Sequence, residues 1–189
     1  MKVNFSKNNT SFQKNALFNC IVKRKGTNEK ANATLYLYKK QNPNDMEEIA
    51  NSNLPIQIKS NFLNLYYANN SRFYALKTDN SGEFVSFAQV SKHFIQDEGK
   101  YKGTISTIEE FNTNKEFIDP ELPLLSQITK DAINSEDNFI ITSFRADEAP
   151  YIKSASFSKT KYDNWALPEK RYTNLIDRAE KRNQIEYLC

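Results

Sequence analysis

The chain has 189 residues, of which 39% are apolar and 13% aromatic, and a chain of this length can bury roughly 70% of its unfolded surface in one core. Its 26 basic and 23 acidic side chains leave a net charge of +3, a weak and locally mixed field that does not imply nucleic acid as a partner. No run of about 18 apolar residues and no charged-then-apolar leader is present, so neither a membrane span nor secretion is expected, and the cytoplasm is the expected compartment. Cys20 and Cys189 fit neither a disulfide framework nor a zinc spacing. With His93 as the only histidine, a His-rich metal centre is excluded, and no metal is expected.

In chain order, residues 1–16 are polar, Asn-rich and without period, and are expected to form a mobile arm ahead of a single domain over 17–189. Residues 17–25 predict a first strand, and the aromatic, β-rich stretch 33–38 (ATLYLY) predicts a better one. Pro43, Asn44 and Asp45 then open a short helix, followed by a second over 56–67. RFYALK at 72–77 and EFVSFAQV at 83–90 flank a turn and read as a β-hairpin. A further turn near 96–100 leads into GTISTIEEF at 103–111, a central strand covered on both faces.

Asp119 and Pro120 carry helix-start chemistry, and Leu124, Leu125, Ile128 and Ala132 share one stripe, which predicts a helix directly after that strand. NFIITSF at 138–144 reads as a buried strand parallel to the one before the helix, giving a right-handed βαβ unit. A short helix entered through Pro150, a last strand over 156–165 and an amphipathic C-terminal helix within 168–188 complete the reading. The fold class is therefore α/β (α+β), with a mixed sheet of seven or so strands, helices on both faces and a C-terminal helix.

This order of elements over about residues 31–166 resembles that of GNAT-type N-acetyltransferases, and its best local pieces are ATLYLYKKQNPNDMEEIA, GEFVSFAQV and APYIKSASFSKT. The resemblance implies acyl transfer from acetyl-CoA to an amine, held in a slot between strands 103–111 and 138–144. It implies that Tyr151, on the short last helix, protonates the leaving thiolate, with Phe157 opening the strand beyond. Cofactor contacts would fall at Phe111, Asn112 and Thr113. In place of the family's Gln/Arg-x-x-Gly-x-Gly/Ala loop, whose backbone amides hold pyrophosphate at a helix N-terminus, the chain has FNTNKEFIDPELPLL. Without a glycine, and with Asp119 and Glu121 at that end, either Lys115 or Lys130 holds the phosphates or the fold persists without the chemistry.

Glu109 and Glu110 end the central strand, where a carboxylate of raised pKa could take a proton from an amine. As neighbours on a strand they face opposite sides, so the alternative is that one is solvated or paired with a lysine. His93, beyond the hairpin strand, reads equally as a cleft residue or a surface one. Arg145, Asp147 and Glu148 follow the parallel strand at its carboxyl end, where open α/β sheets bind ligands, or they cap a short helix. The alternating charges of the last helix read as a solvated face. Two functions follow: CoA-dependent N-acylation of an amine, or a noncatalytic module that uses the same cleft or the aromatic hairpin to hold a protein or small ligand.

Overall fold

The computed structural model describes residues 15–27, 29–38, 43–65 and 71–188. Strands β1 (Asn15–Lys23) and β2 (Lys30–Tyr38) are followed by helices α1 (Pro43–Asn51) and α2 (Ile56–Leu65), and then by strands β3 (Ser71–Thr78), β4 (Phe84–Asp97) and β5 (Lys100–Thr113). Helix α3 (Leu122–Asn134), strand β6 (Asp137–Arg145) and a 3₁₀ turn at Pro150–Ala155 come next. Strands β7 (Ser158–Lys159) and β8 (Asn164–Pro168), helix α4 (Tyr172–Asn183) and strand β9 (Glu186–Tyr187) complete the chain. The nine strands of the described residues join one sheet in the order β7-β8-β6-β5-β4-β3-β2-β1-β9.

Alternation along β3 shows how the sequence specifies three layers. Phe73 and Ala75 face one way, into a cluster with Ile49, Leu54, Ile58 and Phe62 from α1 and α2. Tyr74 and Leu76 face the other way, into the larger core built with Leu124, Leu125 and Ile128 of α3 and Leu175 and Ala179 of α4. A strand buried on both faces places successive side chains in two different cores. β4 and β5 are joined through Glu98 and Gly99, both at positive φ (50° and 75°), the backbone that a two-residue hairpin requires.

β5 and β6 are the parallel pair, joined by α3, and every other neighbouring pair described is antiparallel. The start of this βαβ unit is fixed by Asp137, the first residue of β6, whose side chain is fully buried. Its carboxylate accepts hydrogen bonds from the hydroxyls of Thr104 and, at 2.5 Å, Ser106, both on β5. Lys92 Nζ of β4 lies 3.5 Å away, and the Tyr172 hydroxyl of α4 donates to the Asp137 carbonyl at 3.1 Å. One residue thus ties two strands and the C-terminal helix to the start of β6.

Several boundaries differ from expectation: β4 runs on to Asp97, past the end expected at 90, and so contains His93. β1 begins at Asn15, inside the polar segment, while residues 1–14 lie outside the described residues. The short helix near 150 is a 3₁₀ turn stopped by Ser156 at a left-handed φ of 71°. The strand expected over 156–165 is a tight hairpin, β7 and β8, because Tyr162 N donates to Thr160 Oγ1 and Asp163 adopts a φ of 65°. The C-terminal helix stops at Asn183 because Gln184 is left-handed, which turns the chain back so that β9 pairs with β1. No described helix is long and apolar enough to cross a membrane.

Cys20 is buried in the larger core, which pushes its thiol pKa up to about 12, as desolvation does to any acid that becomes charged on losing its proton. Cys189 lies outside the described residues. Asp137→Ala leaves the buried Ser106 hydroxyl without its acceptor and Thr104 with only the Ser135 carbonyl at 3.3 Å, and should cost about 2–4 kcal/mol. Urea unfolding followed by circular dichroism checks this, and a loss below 1 kcal/mol would contradict the role given to Asp137.

Candidate active site

The site grows out of the way β5 leaves its two neighbours. On one side its register with β4 slips, with Gln89 opposite Glu110 and Val90 opposite Ile108, so Glu109 is the extra residue of a bulge and the strand bends there. On the other side the parallel pairing with β6 runs from Thr104–Asp137 to Ile108–Thr142 and stops. Glu109, Glu110 and Phe111 therefore lie past the last β6 partner. This is a break in the β5–β6 ladder.

Two hydroxyls reach across it. Ser143 Oγ donates to the Glu109 carbonyl at 3.0 Å. Tyr151 Oη donates to the Phe111 carbonyl at 3.4 Å, and the rings of Tyr151 and Phe111 lie 6.1 Å apart. Both aromatic rings pack against the α3/α4 core. Burial pushes the Tyr151 hydroxyl above the ordinary tyrosine pKa, with a side-chain hydrogen bond from Thr113 opposing, so the phenol holds its proton at neutral pH.

Glu110 lies toward the other helical layer, where Asn61 Nδ2 of α2 donates to its Oε1 at 2.5 Å. Burial raises its pKa above the ordinary carboxylate range, with Asn61 opposing and the charges of Glu109 and Glu148 adding. Glu109 instead meets His93, whose Nε2 lies 3.4 Å from Glu109 Oε1 on the exposed side. At the strand end Glu110 thus faces the α1/α2 layer, Tyr151 meets Phe111 on the α3/α4 side, and Glu109 pairs with His93. Beyond it, Asn112, Thr113 and Lys115 line a cavity of about 400 Å³ together with Asn53, Leu54 and Pro55 of the α1–α2 connection.

The other sequence candidates go elsewhere. Lys130 bonds Glu180 at 2.9 Å and lies 3.5 Å from the centroid of the Tyr187 ring, so it is held between α3, α4 and β9. Arg145 pairs with Asp147 and Asp163 at 3.4 and 3.0 Å, and Glu148 Oε2 accepts from Arg145 N at 2.7 Å, a capped surface turn. Sequence reasoning missed Ser143 and Asn61. Hydroxyl and amide side chains are common in this chain, and only tertiary placement makes these two partners of the site.

Coenzyme A is the cofactor that such a fold implies, and the residues of the strand end can be tested against it. The carbonyls of Glu109 and Phe111, which the amides of a pantetheine arm would use, already accept from Ser143 and Tyr151. The pyrophosphate end does not fit. A phosphate cradle needs free amides at a helix N-terminus, yet Phe117 N donates to the Asn114 carbonyl at 3.2 Å, Ile118 N to the Lys23 carbonyl at 2.8 Å and Leu122 N to the Asp119 carbonyl at 3.2 Å. Pro123, at the helix start, has no N–H to offer. Glu121 is buried there, accepts from Ser154 Oγ at 2.7 Å, and has its pKa raised chiefly by burial.

No protein-family description matches the sequence, and no curated protein matches it. Solved structures do match by shape. The chain is similar to a KacTA–DNA complex (TM-score 0.55, 10% identity, 77% of this chain and 99% of that one). It is also similar to an AtaT toxin mutant bound to the C-terminus of the antitoxin AtaR (0.52, 10%, 76% and 96%). A third likeness is to a Desulfovibrio desulfuricans protein assigned to the GNAT acetyltransferase family (0.50, 12%, 71% and 99%). At these identities the likeness shows the fold alone, and the fold is GNAT-type.

A carboxyl whose folded pKa lies above its unfolded value binds its proton more tightly in the native state, so stability falls as pH rises from the unfolded pKa through the folded one. Glu121→Gln removes that penalty and can still accept from Ser154. It should raise the unfolding midpoint at pH 7.5 by about 2–4 °C and leave it unchanged near pH 3.5. Calorimetry at both values checks the sign, and equal shifts at the two would contradict the buried-carboxyl account.

Proposed function

We propose that this GNAT-fold chain is an N-acyltransferase that moves an acyl group from a pantetheine-type thioester to an amine at the break between β5 and β6. The observation that carries the reading is the end of parallel pairing at Ile108–Thr142, with Glu110 on the α1/α2 side of the strand end and Tyr151 on the α3/α4 side. The amine nitrogen attacks the thioester carbonyl, the C–N bond forms, and the C–S bond breaks with its electron pair going to sulfur. Glu110, its pKa raised by burial, takes the amine proton directly or through one water. Tyr151, protonated at neutral pH, supplies the proton to the departing sulfur. In this reading Phe111, Asn112 and Thr113 contact the arm of the donor, and Lys115 stands at the rim of the adjoining cavity.

A second reading is favoured by one specific observation. The carbonyls of Glu109 and Phe111, which a pantetheine amide would use, already accept from Ser143 and Tyr151. A domain that kept the fold without the reaction would satisfy its own strand end in this manner. Two of the similar structures hold a protein or DNA partner, and this reading assigns the chain a noncatalytic binding role.

Thiol release from acetyl-pantetheine and acetyl-CoA, measured with a panel of amines, separates the two. Turnover is expected, with Tyr151→Phe and Glu110→Gln each lowering kcat/KM by about 10²–10⁴-fold. Full activity in both variants would remove their assigned roles. Absence of turnover with every thioester and amine, together with no ligand-induced shift in the unfolding midpoint, would favour the binding module.

A further inference from the structure

Away from the β5–β6 break, a cavity of about 840 Å³ lies between β1, the segment that leads into α3, and α4. Its β1 wall is separated from β5 by β2, β3 and β4, roughly 19 Å of sheet at about 4.8 Å per strand. The segment before α3 reaches β1 because Ile118 N donates to the Lys23 carbonyl at 2.8 Å and Phe117 bridges to Arg24. On the other side α4 is held by Asn183 Nδ2, which donates to the Ile21 carbonyl at 3.1 Å, and by Arg182, which pairs with Asp119. These contacts fix the walls and leave the space between them unfilled.

The charge around this space is uneven. Lys23 of β1 and Arg178, Lys181 and Arg182 of α4 line it, against the carboxylates of Asp119 and Asp177. The α4 cations share one face because they are three or four positions apart along the helix. Arg182 is matched by Asp119, while Arg178 donates to the Ser154 carbonyl and acts on the nearby Glu121 carboxyl. Among the described residues the side chains of Lys23 and Lys181 have neither a hydrogen bond nor an ion pair. Setting each arginine against its acid leaves these two ammonium groups facing the single carboxylate of Asp177.

Two further features narrow what could fill it. Ile21 and the half-exposed Ile118 give the cavity an apolar wall beside the lysines. Asn183, which also lines it, is buried, and its Oδ1 has no hydrogen-bond partner among the described residues. A buried acceptor without a donor is costly, so the site lacks a donor as well as an anion. We infer that this cavity binds a nucleoside monophosphate, with its phosphate held by Lys23 and Lys181. Such a ligand supplies a phosphate of charge about −2 for the ammonium groups, a flat ring for the isoleucines, and N–H and O–H donors. The volume lies within the usual range for a small-molecule site. No lining residue belongs to β5, β6 or the 3₁₀ turn, so binding requires neither Glu110 nor Tyr151.

Calorimetric titration of the full chain with adenosine 5′-monophosphate, uridine 5′-monophosphate, adenosine and inorganic phosphate tests the assignment without turnover. At least one nucleotide should bind with a Kd below about 0.5 mM, and adenosine and phosphate each at least about tenfold more weakly. Lys181→Glu should weaken nucleotide binding by about tenfold or more, and Lys23→Gln severalfold. The unfolding midpoint should not move in either variant, because neither side chain has a partner to lose. Absence of binding by both nucleotides at millimolar concentration would overturn the inference, as would adenosine binding as tightly as its monophosphate, or full affinity in both lysine variants. Tyr151→Phe should leave binding unchanged, and a tenfold loss there would move the ligand to the β5–β6 break and refute the assignment.

Discussion

The constraint on which the rest depends is that β5 must end one partnership while keeping another. At its start it is bound to β6 through the buried Asp137 carboxylate, with Thr104 and Ser106 donating to it. At its far end the bulge at Glu109 bends it within its pairing with β4. A strand held at one end and bent at the other loses its ladder with the parallel neighbour beyond Ile108–Thr142, where the Ser143 side chain bridges to Glu109 instead. Because the alternation of a strand sends successive residues to opposite layers, this short stretch delivers a carboxylate to the α1/α2 side and an aromatic contact to the α3/α4 side.

Electrostatics then divides the site into two halves. Around the strand end, burial raises both the Glu110 carboxyl and the Tyr151 phenol, which moves the carboxyl toward neutrality and keeps the phenol protonated. At the helix start, the same burial acts on Glu121, but there Ser154 donates to the carboxyl and Arg178 and Arg182 of α4 stand close by. A helix N-terminus normally attracts an anion, and here the chain provides its own.

Much of the architecture was legible in the sequence because it rests on local rules. Apolar alternation located β2 through β5, the stripe Leu124, Leu125, Ile128 and Ala132 located α3, and the apolar run 138–144 required a parallel partner once a helix separated it from the strand before. The strand end with Glu109 and Glu110 was singled out from its place on the central strand, and Tyr151 through the resemblance of its segment to GNAT-type enzymes. Less visible were the breaks. Ser156, Asp163 and Gln184 take left-handed backbone without being glycine, so the hairpin β7–β8 and the strand β9 left no glycine signal to find them by.

What the sequence by itself determined, then, is the order and type of the elements and the absence of a glycine cradle, because periodicity and residue identity are properties of neighbours along the chain. Only the tertiary structure decided that Glu109 and Glu110 differ in surroundings, one beside His93 and the other against Asn61. It also decided that α4 supplies the cations of the α3 N-terminus. Those outcomes depend on a bulge register and on contacts between residues more than 45 positions apart, such as Asn61 with Glu110 and Asp119 with Arg182. No local pattern encodes such pairs, since each forms only when separate layers close on the same sheet.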